Sequence, residues 1–231
     1  MKQLIKHLEK IRKLDRRYHH PLLHKVHKKH RISKKTLFYV KEYGPHSNVP
    51  KTIIKESIKI LLLASIISSF GGFTLEHIKE IFISITPLLI LFPALNDMIG
   101  DYGTIISSRF STMLHEGGIK KNVFKDNEIR TLFFQVFIIS IITSLLSCLI
   151  SFVISYFSGY SMQWITAVKI VLLVLIDVIL LISLLFVTSL AAGMYFYKKN
   201  EDPNNFLIPI TTSIADFGNM LILSALVILF F

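Results

Sequence analysis

Pro93-Ala94-Leu95-Asn96-Asp97-Met98-Ile99-Gly100-Asp101-Tyr102-Gly103, together with Pro209-Ile210-Thr211-Thr212-Ser213-Ile214-Ala215-Asp216-Phe217-Gly218-Asn219, places carboxylates inside two apolar, membrane-length segments. An ionised side chain at the bilayer centre costs about 2.5–3.5 kcal/mol even on permissive insertion scales, so such residues mark a water-filled cavity, an ion path or a partner charge. The chain therefore reads as a transport candidate.

Around these segments the composition is that of a membrane protein: 52% hydrophobic residues over 231 positions and a positive mean hydropathy, outside the range of ordinary soluble domains. A bilayer needs roughly 20 apolar residues per helix. Five stretches meet that measure, near Ile53 to Phe73, Ile81 to Ser108, Leu132 to Phe157, Val168 to Tyr197 and Phe206 to Phe231. The expected fold is an all-α integral membrane bundle of five transmembrane helices with a short basic N-terminal helical segment. Residues 1–50 form the basic cytosolic or membrane-surface segment and residues 51–231 the five-helix transport domain.

The net charge of +11 is concentrated at the N-terminus, where residues 1–50 carry 14 Lys and Arg against 3 Asp and Glu. Beside several spanning helices, such a block points to an anionic lipid surface and not to nucleic acid. Leu4, Leu8, Ile11 and Leu14 recur at helical spacing between lysines, the pattern of a basic amphipathic helix lying on the inner leaflet or against the membrane domain. Met1 to Asp15 is too charged for a secretory signal peptide. The loop holding Lys120, Lys121, Lys125 and Arg130 and the turn at Lys198 and Lys199 fall on the same side as the N-terminus. The positive-inside rule then predicts a multi-pass protein of the cell membrane, N-terminus cytoplasmic and C-terminus outside.

On the second span, Asp97, Asp101, Thr104 and Ser108 form one helical stripe, and Asn96, Gly100, Gly103 and Ser107 an adjoining stripe of small residues suited to close helix contact. On the last span, Thr212, Asp216 and Asn219 share an oxygen-rich face. Asp216 lies roughly 15 Å into that helix, near the bilayer midplane. Oxygen ligands without His or Cys favour hard cations, and Mg2+ keeps most of its water while bound by one or two carboxylates. The candidate metal-contacting residues are Asp216, Asp101, Asp97, Thr212 and Asn219. The ion would be cargo: most simply Mg2+, with other divalent cations compatible.

These residues also carry a resemblance. Pro93-Ala94-Leu95, Gly100-Asp101-Tyr102-Gly103 and Ser108-Arg109-Phe110-Ser111-Thr112, then Asp202-Pro203 and Pro209 to Asp216, occur in the order and spacing of the MgtE-type magnesium transporters and the related solute-carrier divalent cation transporters. The resemblance runs from about Ile53 to Phe231. It implies a five-helix domain used as a homodimer or as two fused halves, with a cation pore on the two-fold axis lined by the second and fifth helices. The family's pore carboxylate corresponds to Asp216. Where the family has Gly-Asn, this chain has Gly100-Asp101, an additional negative charge near the pathway.

The reading from these signals is a divalent cation transporter or channel, taking up Mg2+ through a pore at a homodimer axis, with the lipid bilayer as its surroundings and no nucleic-acid partner. The alternative is a structural or regulatory membrane protein whose buried Asp residues serve helix packing. No enzyme constellation is present: there is no phosphate-binding glycine loop and no His-Glu-x-x-His. His20, His24, His27 and His30 share a broad helical face that suits either Zn2+-type ions or lipid headgroups. Asp177, on the fourth span, is expected near the outer boundary, as a vestibule or interfacial residue. Cys148, the only cysteine, reads as a small buried hydrophobe.

Overall fold

The computed structural model describes residues 21–32, 37, 49–116, 126–199 and 201–231. The expected amphipathic helix through Leu4, Leu8, Ile11 and Leu14, and the basic loop with Lys120, Lys121 and Lys125, lie outside the described residues. Six helices account for nearly all the rest: α1 (Pro21–His30), α2 (Val49–Ser84), α3 (Thr86–Glu116), α4 (Asn127–Phe157), α5 (Trp164–Lys198) and α6 (Pro203–Phe230), with no strand among the described residues. The protein is an all-α membrane bundle. By length and hydropathy α2, α4, α5 and α6 suffice to cross a bilayer. α3 is 31 residues long but interrupts its apolar run with Asn96, Asp97, Asp101 and Arg109.

The first boundary differs from the sequence expectation. Residues 74–80, read as a polar connection, are helical, and α2 continues to Ser84. Thr74 Oγ1 bonds back to the Gly71 carbonyl and Lys79 pairs with Glu76 one turn away, so the polar residues cap their own needs without leaving the helix. The break comes at Ile85. Pro87 has no N–H to offer the preceding turn and its ring obstructs that turn's carbonyl, whereas it fits the first turn of α3.

Contacts between helices fix their directions. Ser68 on α2 meets Asp216 on α6, and Gly71 lies against Met220, so these two helices run parallel. Asn96 meets Asp216 while Gly103 and Ser107 meet Thr211, which makes α3 and α6 antiparallel. Lys169 Nζ donates to the Phe230 carbonyl at 2.7 Å and Phe196 stacks on Phe206, so α5 and α6 are also antiparallel. Tyr102 OH lies 2.5 Å from Thr143 Oγ1, while Arg109 and Met113 line one pocket with Asn127, Glu128 and Thr131, so α3 and α4 are antiparallel. Direction thus alternates from α2 through α6.

α5 is the most enclosed of the four apolar spans. Half of its most apolar window is buried, against 6% for α2. Its inward face of Ile170, Leu173, Val174, Val178, Leu181, Ile182 and Leu185 is fully enclosed. α4 presents a buried line of small residues, Ser140, Ser144, Cys148, Ser151 and Ser155, toward the bundle, where close approach gains dispersion that lipid cannot supply. Its opposite face exposes Ile138, Ile142, Leu146 and Leu149, as α2 exposes Ile58, Leu62, Ile66 and Phe70. Those faces match hydrocarbon.

Asp177 is not the exposed vestibule or interfacial residue expected. It is 0% exposed on the core face of α5, and neither carboxylate oxygen has a hydrogen-bond partner. The rotation of α5, not the depth of the residue, decides this: at Asp177 the inward face is closed by the surrounding helices.

Candidate functional site

Between α3 and α6 lies an open cavity of about 460 Å³, lined by Phe92, Pro93, Asn96, Asp97, Gly100, Asp101, Thr104, Thr212 and Asp216. Four of the five sequence-predicted site residues, Asp97, Asp101, Thr212 and Asp216, share this wall. No Lys or Arg is among the lining residues. Asp97 and Asp101 are exposed on the outer face of α3, while Asp216 and Thr212 are half-buried on α6. The α3 stripe of small residues faces protein in its second half, where Gly103 packs on Thr211 and Ser107 is fully buried, whereas Gly100 lines the cavity with nothing against it.

The helix neighbours dictate this geometry. A Cβ at Gly103 would come within 3.2 Å of the Thr211 side chain, so glycine there brings the α3 and α6 backbones together. Behind the cavity, Ser107 Oγ lies 3.1 Å from Thr211 Oγ1 and 3.3 Å from Ser189 Oγ, joining α3, α6 and α5 through hydroxyls. Pro93 sits inside α3 and Pro209 inside α6; each removes one intrahelical N–H, leaving a carbonyl of the preceding turn without its usual donor. At the N-terminus of α6, Asp202 accepts from the Asn204 N–H at 3.1 Å and fixes where the helix starts.

Asp216 is held by two other helices. Its Oδ1 accepts from Asn96 Nδ2 at 2.9 Å, and its Oδ2 accepts from Ser68 Oγ on α2 at 3.2 Å. Asn96 Oδ1 in turn accepts from Asn219 Nδ2 at 3.0 Å. Asn219 is therefore placed apart from the other four: it is fully buried behind Asn96, does not line the cavity, and leaves its own Oδ1 without a partner, an arrangement that costs about 1–3 kcal/mol. Thr212 Oγ1 is engaged by the Ile208 carbonyl at 2.9 Å and keeps its lone pairs for the cavity.

Two polar residues at this site were not singled out from the sequence. Asn96 stood only in the small-residue stripe, although its amide is the one long polar group there. Ser68 belongs to a line of small residues on α2, with Ala64 and Gly71, spaced to face a neighbouring helix; that line was the available signal.

Among the polar groups of the wall, oxygen donors predominate: Asp97, Asp101, Thr104, Thr212 and Asp216 carry oxygen and only Asn96 brings a nitrogen. A water molecule occupies about 30 Å³ in the liquid, so the cavity has room for a cation with a full shell of about six waters. Among the described residues no three His, Cys, Asp or Glu side chains converge into one direct ligand set. In the N-terminal segment, His27 Nδ1 lies 2.5 Å from the Ile32 carbonyl, while His20 and the face it was expected to share fall partly outside the described residues.

The MgtE family, described as divalent cation transporter, matches residues 92–226, a segment that holds every cavity residue and stops short of α2. No curated protein and no solved structure matches.

Proposed function

The chain belongs to the MgtE family of divalent cation transporters, and from that premise we propose that it takes up Mg2+ through the α3–α6 cavity as a homodimer. The observation that carries this reading is the convergence of Asp97, Asp101, Thr212 and Asp216 on one cavity with no basic residue in its wall. Asp216 would attract the hydrated ion, with Thr212 contacting its water, while Asp97 and Asp101 add negative potential along the approach.

Asp97 and Asp101 are exposed in the single chain, and a second copy related by a two-fold axis would close the open side of the cavity into a path. The alternating helix directions support five crossings. With the Lys- and Arg-rich segments inside, the N-terminus is cytoplasmic and the C-terminus outside. The inside-negative membrane potential then contributes about 2.3 kcal/mol per charge per 100 mV, and twice that for a divalent ion, so uptake requires no ATP.

The test is Mg2+ uptake into proteoliposomes with an imposed inside-negative potential, comparing wild type with Asp216→Asn and repeating with Mn2+, Co2+ and Zn2+. The expected result is flux in wild type and its loss in the variant. A variant with unchanged flux sinks the assignment. The packing alternative draws on the bonds Asp216 makes to α2 and α3. It requires instead that Asp216→Asn lower thermal stability or dimerisation, with no wild-type flux.

A further inference from the structure

We infer that Asn96 is the positioning residue for the Asp216 carboxylate, oriented by Asn219, and that apparent cation affinity depends on this three-residue chain. The inference rests on the cavity being the cation site.

The chain runs in one direction. Asn219 Nδ2 donates to Asn96 Oδ1 at 3.0 Å, and Asn96 Nδ2 donates to Asp216 Oδ1 at 2.9 Å. An amide has one acceptor end and one donor end, and an ionised carboxylate only accepts. Turning Asn96 over would aim its carbonyl oxygen at the carboxylate and its NH2 at that of Asn219. Turning both amides over would still set two acceptors against each other at Asp216. Only the observed polarity satisfies an acceptor-only Asp216.

Asn219 is enclosed and cannot swing into water, whereas Asn96 is half-buried at the cavity wall. The buried amide therefore holds the exposed one. The amide end that Asn96 turns to Asp216 is a poor ligand for a cation, because it carries positive partial charge. Its effect, with Ser68 on the other oxygen, is to hold the plane of the carboxylate, so that the rotamer presented to the cavity does not have to be ordered when the ion arrives. A residue acting this way alters affinity more than turnover.

Initial rates of Mg2+ uptake by full-length protein in proteoliposomes test this, with melting temperature and oligomeric state measured alongside. Asn96→Ala should raise the apparent KM about tenfold, the range for a hydrogen bond to a charged group, with Vmax within about twofold. Asn219→Leu, which keeps the branching and the number of side-chain heavy atoms but cannot donate, should give a similar KM alone and little further change in the Asn96→Ala background, since it acts only through Asn96. An unchanged KM in a folded Asn96→Ala protein, a fall in Vmax and melting temperature without a KM change, or independent, multiplicative effects of the two substitutions would each overturn the proposal. Asp216→Asn, run in parallel, separates the outcomes: if it retains wild-type flux, the site itself is misplaced, whereas its inactivity beside an unaffected Asn96→Ala refutes only the positioning role.

Discussion

Ser68 Oγ donates to Asp216 Oδ2 at 3.2 Å, linking α2, which lies outside the family-matched segment, to the carboxylate at the centre of the cavity. A hydroxyl on that oxygen competes with whatever else approaches it. Removing it in Ser68→Ala releases a hydrogen bond to a charged group, worth about 1.5–3 kcal/mol, and the apparent KM for Mg2+ uptake should fall by about tenfold, the low end of that range. Uptake kinetics check this. A raised KM would mean that the hold of Ser68 on the carboxylate outweighs its competition with the ion.

Asp97 and Asp101 are exposed on the open face of the cavity, so their influence on an approaching cation acts through water and is screened by salt. The Debye length falls from about 30 Å at 0.01 M to about 8 Å at 0.15 M ionic strength. Asp97→Asn and Asp101→Asn should each lower uptake about three- to tenfold at low ionic strength, the difference shrinking toward twofold at 0.15 M. Asp216→Asn should be insensitive to salt. A salt-independent loss in the α3 variants would place those carboxylates in direct contact with the ion.

Much of this arrangement was legible in the residues. Of the stripe Asn96, Gly100, Gly103 and Ser107, Gly103 and Ser107 pack on α6 and Asn96 bonds to it while Gly100 lines the open cavity, and the gathering of Asp97, Asp101, Thr212 and Asp216 follows from that packing. Periodicity failed where two helices compete for the same residue. Asn219 shares a helical face with Asp216, yet Asn96 reaches it first and closes it off from the cavity. Asp177 was placed by its distance along the helix, which says nothing of rotation about the axis. The end of α2 was set at a polar cluster, although Glu76 and Lys79 pair within the helix and Pro87 interrupts it.

Gly193 tests the packing at the cytoplasmic end proposed for the bundle. A Cβ there would sit 2.7 Å from the Phe110 ring and 3.1 Å from Leu207, whereas one at Gly100 would meet nothing within 4 Å. Phe110 is fully buried and has little room to yield. Gly193→Ala should cost about 1–3 kcal/mol, as overpacking of a close-packed core does, and lower the melting temperature by several degrees in detergent. Gly100→Ala should leave it within about one degree. Equal melting temperatures would show that α3 and α5 separate more easily than their contacts indicate.

Asp177 gives the sharpest separation of stability from transport. Its carboxylate is fully enclosed on α5 with no hydrogen-bond partner, between the apolar Val174 and Val178. A buried polar group without a partner costs about 1–3 kcal/mol, and replacing it by an apolar side chain with the same number of heavy atoms removes that cost without opening a cavity. Asp177→Leu should therefore raise the melting temperature by about 5 °C, at roughly 2–4 °C per kcal/mol for a chain of this size. Asp177 does not line the Asp216 cavity, so Mg2+ uptake should stay within twofold of wild type. Thermal unfolding and uptake on the same preparation decide between two roles. A stabilised variant that still transports confines Asp177 to the core, whereas a stabilised variant without flux would mean that this carboxylate takes part in the transport cycle, its destabilising burial retained for that reason.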